Sequence, residues 1–211
     1  MASLRRGQAA RPSDPPPEVS ESVAPILAAA IAIIRDEGAG ALRVRRIAEL
    51  SGRSTKGVYT HFGGKNGLVD AICIDGFTRM RQHIVERIRT DTGLARLRSA
   101  GAAYRSWALA NPTQYQVMFA RAVPEYEYSD HTRAVGAEAF DVLVAATAAA
   151  SSLGEIRIDD PYKAAAWLWA AIHGHVMLEL AQLMPLAVPF DWTDLFEGMV
   201  ERLLAGLRPH E

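Results

Sequence analysis

Hydrophobic residues recur at every third or fourth position along most of this chain, a spacing that places them on one face of an α-helix. The first such segment runs from residue 22 to residue 37, with Pro25 in its first turn and Gly38 as its stop signal. No stretch carries a convincing strand pattern. The sequence therefore predicts an all-α protein of about nine helices.

The segment from residue 44 to residue 68 has the clearest pattern, two short helices around a turn at Gly52 and then the start of a third helix. Glycine tolerates the left-handed backbone that such a turn requires. The apolar positions of the first helix are Val44, Ile47, Ala48 and Leu50. In the second helix, Val58 and Phe62 lie four residues apart, so we expect both to pack on Ile47.

The other face of this second helix carries a cation, small residues and hydroxyl groups. Lys56, Gly57 and Thr60 point away from the packed face, and the side chains at its flanks are Thr55, Tyr59 and His61. Such a surface suits the floor of a DNA major groove. The order of elements is that of a helix-turn-helix.

Further helices are predicted after this segment. They span about residues 65–90, 93–110, 112–119, 132–152, 160–183 and 192–207, with a loop at 122–131 and caps at Asn111 and Asp191. We predict three regions: a disordered, basic and proline-rich arm (1–19), a DNA-binding domain (20–66), and a larger helical domain for ligand binding and dimerisation (67–211). An inert arm is favoured over one that contacts DNA.

Charge is distributed unevenly, although the net charge of the chain is only −1. Residues 39–66 carry six cations against one anion, whereas residues 67–211 carry 13 cations and 18 anions. A basic module on an acidic body is typical of a DNA-binding protein with a separate second domain.

Cysteine usage and hydropathy predict a cytoplasmic protein without a membrane partner. Cys73 is the only cysteine, so no internal disulfide can form, and a core role is favoured over a redox role. No apolar run follows the first arginines, so we expect no signal peptide. Residues 164–183 come nearest to a membrane span, but His173, His175, Glu179 and Gln182 interrupt them.

The helix-turn-helix segment resembles the DNA-binding domain of the TetR (tetracycline-repressor-like) family of bacterial transcription regulators. The pattern I-A-x-x-x-G, Y-x-H-F and K-x-x-L is matched by Ile47, Ala48, Gly52, Tyr59, His61, Phe62, Lys65 and Leu68. The chain departs from the family at Arg43, where Thr or Ser is commoner, and at Gly63–Gly64, where Pro-Ser or Pro-Asn is commoner.

The resemblance implies a DNA surface and, in the second domain, a ligand pocket and a dimer interface. The predicted DNA surface is Arg43, Arg45, Thr55, Lys56, Gly57, Tyr59, Thr60, His61 and Lys65. We expect Lys56 and Thr60 nearest the bases, and Tyr59, His61 and Lys65 on phosphates.

The second domain resembles a subgroup with a Trp-x-x-x-His-Gly motif, here Trp169 to Gly174, and with an Asn-Pro joint between two helices, here in residues 104–119. The predicted ligand-contacting residues are Tyr104, Trp107, Tyr115, Phe119, Trp169 and His173. For His173 alone, a satisfied core role is the favoured alternative.

No pattern for catalysis, metal or cofactor is found. The sequence lacks HExxH, a recognisable Ser-His-Asp arrangement and a glycine-rich phosphate loop. His173 and His175 lie two residues apart on a helix and point about 200° from each other, so they cannot chelate one metal. The resemblance to the TetR family implies a ligand-released repressor acting as a homodimer on a palindromic operator. The alternatives are a regulator without a small-molecule ligand, controlled by a partner or acting as an activator, and last a small helical enzyme.

Overall fold

The computed structural model describes residues 23–182 and 191–209. Within these ranges the chain forms nine α-helices and one short 3₁₀ turn, which confirms the predicted all-α class. In chain order they are α1 (Ala24–Glu37), the 3₁₀ turn (Ala39–Ala41), α2 (Val44–Ser51), α3 (Thr55–Phe62), α4 (Lys65–Arg87), α5 (Gly93–Ala110), α6 (Pro112–Phe119), α7 (Asp130–Ser152), α8 (Pro161–Leu180) and α9 (Trp192–Gly206). The predicted arm at residues 1–19 lies outside the described residues.

Helices α1 to α3 pack around a small apolar core. Ile33, Ile47 and Val58 contribute fully buried side chains from the three helices. Gly52 ends α2 with φ 67°, the left-handed conformation that the turn requires. Leu50, the last apolar position of α2, does not belong to this core and is 49% exposed.

Helix α4 connects this unit to the remaining helices. It starts beside α3 and then packs against α5, α6 and α7. Its buried side chains include Leu68 near the start and Ile84 near the end. At Gly76 the approach of α6 is so close that a β-carbon would collide with the sulfur of Met118.

One predicted helix start differs from the structure. Helix α7 begins at Asp130 rather than residue 132, because Ser129 Oγ accepts a hydrogen bond from the amide of Thr132 at 3.1 Å. Asn111 is the cap residue of α6 and Pro112 its first residue, as predicted, although the Asn111 side chain does not bond the first amide groups of α6. Its Nδ2 donates to the carbonyl of Trp107 at 2.9 Å and so closes the end of α5.

Helix α7 is long and apolar enough to meet the criteria for a membrane span, which the sequence analysis did not anticipate. It packs against α4, α5 and α8. One such helix is weak support for a membrane segment, because core helices of soluble proteins pass the same test.

Helices α8 and α9 both carry large apolar side chains that are exposed. Trp167 is 63% exposed, Leu178 is 48% exposed and Leu195 is 37% exposed. Trp167, Gly174 and Leu178 are seven and four residues apart, so they lie on one face of α8. Apart from its chain neighbours and the backbone of its own helix, no atom of the described chain lies within 4 Å of the point that a Gly174 β-carbon would occupy. Among the described residues, no other element covers this position.

Candidate DNA-binding face and ligand cavity

Helix α3 buries one side and exposes the face that the sequence assigned to DNA. Val58 is fully buried, and Phe62 is half-buried. The exposed side chains are Thr55, Lys56, Tyr59, Thr60 and His61, while Gly57 is partly covered. Ser54 Oγ accepts a hydrogen bond from the amide of Gly57 at 3.0 Å and fixes the start of the helix.

The hydroxyl groups of Thr60 and Tyr59 differ in their position on this face and in their hydrogen bonds. Thr60 Oγ1 donates to the carbonyl of Lys56 at 2.8 Å, so its remaining lone pairs can accept a hydrogen bond from a base amino group. Tyr59 is 57% exposed, with its ring at the edge of the face. In this arrangement Thr60 is placed to contact a base, and Tyr59 is placed to contact a phosphate.

The cations around α3 fall into paired and unpaired groups. Arg45 lies 3.3 Å from Glu49, and Arg46 lies 2.8 Å from Glu37. Among the described residues, the cations without a carboxylate within 4 Å include Arg43, Arg53, Lys56 and Lys65. Exposed ion pairs contribute at most about 1 kcal/mol, so a phosphate can displace Glu49 from Arg45 at little cost.

The start of α4 is arranged for an anion. Gly63 and Gly64 have φ values of 67° and 134°, a backbone region that favours glycine over other residues. Gly64 has no side chain to cap the helix, so the first amide groups of α4 remain available. Lys65 is the first residue of this helix, and its charge adds to the attraction for a phosphate.

A cavity of about 240 Å³ lies between α4, α5, α7 and α8. Its lining is Phe77, Met80, Ile84, Ala100, Gly101, Tyr104, Phe119, Gly136, Ala139, Phe140, Val142, Leu143, Tyr162, Ala166, Trp169 and Ile172. No lining residue is charged. Burial of an unpaired charge is strongly unfavourable, so the cavity accepts only an uncharged part of a ligand.

The six residues predicted to contact a ligand do not all reach this cavity. Tyr104, Phe119 and Trp169 line it. Tyr115 and His173 lie behind that wall. Their rings contact Phe119 at centroid distances of 4.8 and 4.9 Å. Trp107 is buried but does not line the cavity, and its role in ligand contact stays a prediction.

Four side chains form a hydrogen-bonded chain against the cavity. Trp169 Nε1 donates to the hydroxyl of Tyr104 at 3.3 Å, which lies 2.8 Å from the hydroxyl of Tyr115. That hydroxyl lies 2.6 Å from Nδ1 of His173. Burial lowers the pKa of His173, so Nδ1 of the neutral ring can accept a hydrogen bond from the hydroxyl of Tyr115. Burial also raises the pKa of Tyr104 to about 12, so the four hydrogen-bonded side chains are uncharged at neutral pH.

Several residues that line the first cavity were not predicted from the sequence. Met80 and Ile84 belong to the apolar stripe of α4, which helical periodicity does not distinguish from a core stripe. Phe140 and Tyr162 stack edge to face at 5.2 Å across α7 and α8, a contact between segments with no shared motif. Cys73 is fully buried, and burial raises its pKa to about 12, which supports the core role predicted for it.

Two family profiles match the chain. The profile described as bacterial regulatory proteins, tetR family, matches residues 26–72. The profile described as Tetracyclin repressor-like, C-terminal domain, matches residues 97–203, which is half of the chain.

Two proteins of Mycobacterium tuberculosis are similar in sequence. The uncharacterized HTH-type transcriptional regulator Rv0681 is 29% identical over 209 residues, which cover 96% of this chain and 88% of that protein. The HTH-type transcriptional regulator Rv1816 is 28% identical over 130 residues, which cover 59% of this chain and 55% of that protein. The second match therefore spans about half the length of its relative.

Solved structures of similar fold include SCO4313, with a TM-score of 0.73, 28% identity and coverage of 86% of this chain and 94% of that chain. Another is AibR in complex with isovaleryl coenzyme A and operator DNA, with a TM-score of 0.66, 22% identity and coverage of 87% and 98%. The second likeness concerns the fold alone. The profiles match both the helix-turn-helix unit and the helical region after it, and this chain belongs to the TetR family of bacterial regulatory proteins.

Proposed function

We propose that this protein is a cytoplasmic transcriptional repressor that binds a two-fold symmetric operator as a homodimer and is released by a small apolar or aromatic ligand. The observation that carries the proposal is the orientation of α3, whose Val58 side is buried while Lys56 and Thr60 face solvent. A helix that exposes such groups beside unpaired cations can enter a major groove and read base edges.

The dimer is expected to form through α8 and α9. One recognition helix covers only a few base pairs, and two helices about 34–36 Å apart are needed for a palindromic site. The exposed side chains of Trp167 and Leu178 flank the open position at Gly174. A second copy of the chain can approach closely there and cover both side chains.

The oligomeric state can be tested with matched variants. We expect Leu178→Glu to give monomers in sedimentation velocity, because it places a charge in the proposed interface. Leu153, at 59% exposed, lies after the end of α7, and Leu153→Glu is the control that should leave the dimer intact. Dimers in both variants would refute this interface.

The ligand is expected to place its apolar part in the 240 Å³ cavity. Phe77, Met80 and Ile84 of α4 line one wall, so occupancy acts directly on the helix that begins at the DNA-binding unit. A ligand shifts the equilibrium only as far as it prefers one orientation of α4 over the other. The cavity favours a ligand-responsive regulator over a regulator without a ligand, because we expect the second kind of protein to have a fully packed core.

The proposed function is tested by DNA binding across a salt series. The purified protein should bind its own upstream DNA tightly, with a steep loss of affinity as salt rises. Lys56→Ala should reduce preference for the operator over random DNA, whereas Arg208→Ala, a change at an exposed cation after α9, should not. Equal, weak binding to operator and random DNA by the wild-type protein would refute the proposal.

A further inference from the structure

A second cavity lies beside the first, in the connection between α6 and α7. Its volume is about 320 Å³, and its lining is Val117, Phe119, Arg121, Val123, Tyr126, Glu127, Tyr128 and Arg133. Unlike the first cavity, it is lined by charged side chains, two guanidinium groups and one carboxylate. No residue of the predicted ligand site except Phe119 belongs to it.

Aromatic rings lie at the common boundary of the two cavities. Phe119 lines both. Phe77, from the first cavity, contacts Phe119 edge to face at 5.5 Å and Tyr128, from the second, at 6.3 Å. An aromatic ring can turn aside by rotation about side-chain bonds without any change of the backbone. A single ligand can therefore occupy both spaces.

The charged groups of the second cavity favour an anion. Arg121 and Arg133 are both exposed. Within the described chain, Arg121 has no carboxylate within 4 Å, and Arg133 is paired only with the exposed Asp130 at 3.6 Å. Glu127 is the one acidic residue of the lining, and it is exposed. Arg121 also adopts φ 49°, which is uncommon for a residue other than glycine.

We propose that the ligand is an amphiphilic anion, whose hydrocarbon part fills the uncharged cavity while its carboxylate or phosphate head binds Arg121 and Arg133. This inference rests on the proposed ligand-responsive function and adds the chemical class of the ligand. Guanidinium groups bind both kinds of head through charge-assisted hydrogen bonds. The head then remains partly hydrated, so no unpaired charge enters the apolar cavity.

The test uses three probes of equal chain length: decanoate, decyl phosphate and 1-decanol. Binding to the full-length protein is measured by titration calorimetry for the wild type, for Arg121→Ala/Arg133→Ala, and for a control with two exposed arginines changed outside both cavities, Arg89→Ala/Arg208→Ala. We expect at least one anionic probe to bind the wild type about ten-fold or more tightly than the alcohol.

The variant Arg121→Ala/Arg133→Ala should lose the preference for anionic probes and keep its affinity for 1-decanol. The control variant Arg89→Ala/Arg208→Ala should keep both the preference and the affinity for 1-decanol. Retained alcohol binding also shows that the variant is folded. Equal loss of affinity for the alcohol and the anions would overturn the head site, and so would a wild type that binds none of the probes. In that case intact operator binding would leave the regulatory function standing. Preference for decyl phosphate or for decanoate identifies the head.

Discussion

Arg105 and Glu179 form the most deeply buried ion pair of the described chain. Arg105 Nε and Nη2 donate to the two carboxylate oxygens of Glu179 at 2.7 and 2.6 Å, and the side chains are only 15% and 9% exposed. The guanidinium also lies 5.2 Å from the ring centroid of Phe196 and 3.3 Å from Thr193 Oγ1. The pair thus joins α5 to α8 and α9.

We predict that Arg105→Met lowers the free energy of unfolding by about 3–5 kcal/mol, because it leaves the Glu179 carboxylate buried without its partner. Removal of both charges in Arg105→Met/Glu179→Leu should restore stability to within about 1 kcal/mol of the wild type, since well-packed apolar groups can replace a buried pair. Urea unfolding followed by circular dichroism at one fixed protein concentration and pH 8 measures both values.

The matched control is Arg98→Met, whose partner Glu201 joins the same helix α5 to α9. Those side chains are 37% and 52% exposed, so we expect a loss below about 1 kcal/mol. A similar loss in Arg98→Met and Arg105→Met would refute the argument from burial. So would a double variant as unstable as Arg105→Met alone.

The same site predicts a pH dependence for the single variant. His175 Nε2 lies 3.5 Å from Glu179 and has no hydrogen-bond partner in the described chain. Burial lowers the pKa of His175, Glu179 raises it and Arg105 lowers it further. Loss of Arg105 therefore raises that pKa, and a protonated His175 can replace the missing charge. The loss in free energy of unfolding caused by Arg105→Met, relative to the wild type, should be smaller at pH 5.5 than at pH 8.

Three further predictions concern DNA binding, pH and the cavity. Lys65→Ala should weaken binding to all sequences alike and reduce the slope of log affinity against log salt by about one, as measured by fluorescence anisotropy. A changed base preference would contradict its phosphate role. Wild-type stability should fall as the pH drops below about 6.5, because burial lowers the pKa values of His173 and His175 and the unfolded chain then binds more protons. A flat urea-unfolding profile between pH 7.5 and 5.5 would contradict this. Ala139→Leu adds side-chain volume to the 240 Å³ cavity. It should abolish binding of the decyl probes in calorimetry, while operator binding persists. Undiminished ligand affinity would place the ligand elsewhere.

Local patterns in the sequence predicted the elements that depend on local interactions. The spacing of Val58 and Phe62 gave the orientation of α3, and Gly52 gave the turn before it. The start of α7 was misplaced because the cap at Ser129 lies in a segment without an apolar repeat.

Contacts between distant segments could not be predicted in the same way. Arg105 and Glu179 are 74 residues apart, and neither stands in a motif that links them. The second cavity depends on the path of the chain between α6 and α7, where no periodic pattern exists to place Arg121 near Arg133. Periodicity identifies which face of a helix is buried, but it does not identify which other helix covers that face.

The close contact at Gly76 divides α4 into two arms of unequal length. Met118 packs directly against the backbone of α4 at that point, whereas Met80 and Ile84 line the first cavity. At 1.5 Å per residue, Lys65 lies about 17 Å on one side of Gly76 and Ile84 about 12 Å on the other. If α4 rotates as a rigid rod about this point, each displacement at the cavity is reversed in direction and enlarged about 1.4-fold at the DNA-binding end. Inter-subunit distances between spin labels near Lys65, measured with and without ligand, would reveal this amplification, and unchanged distances would exclude it.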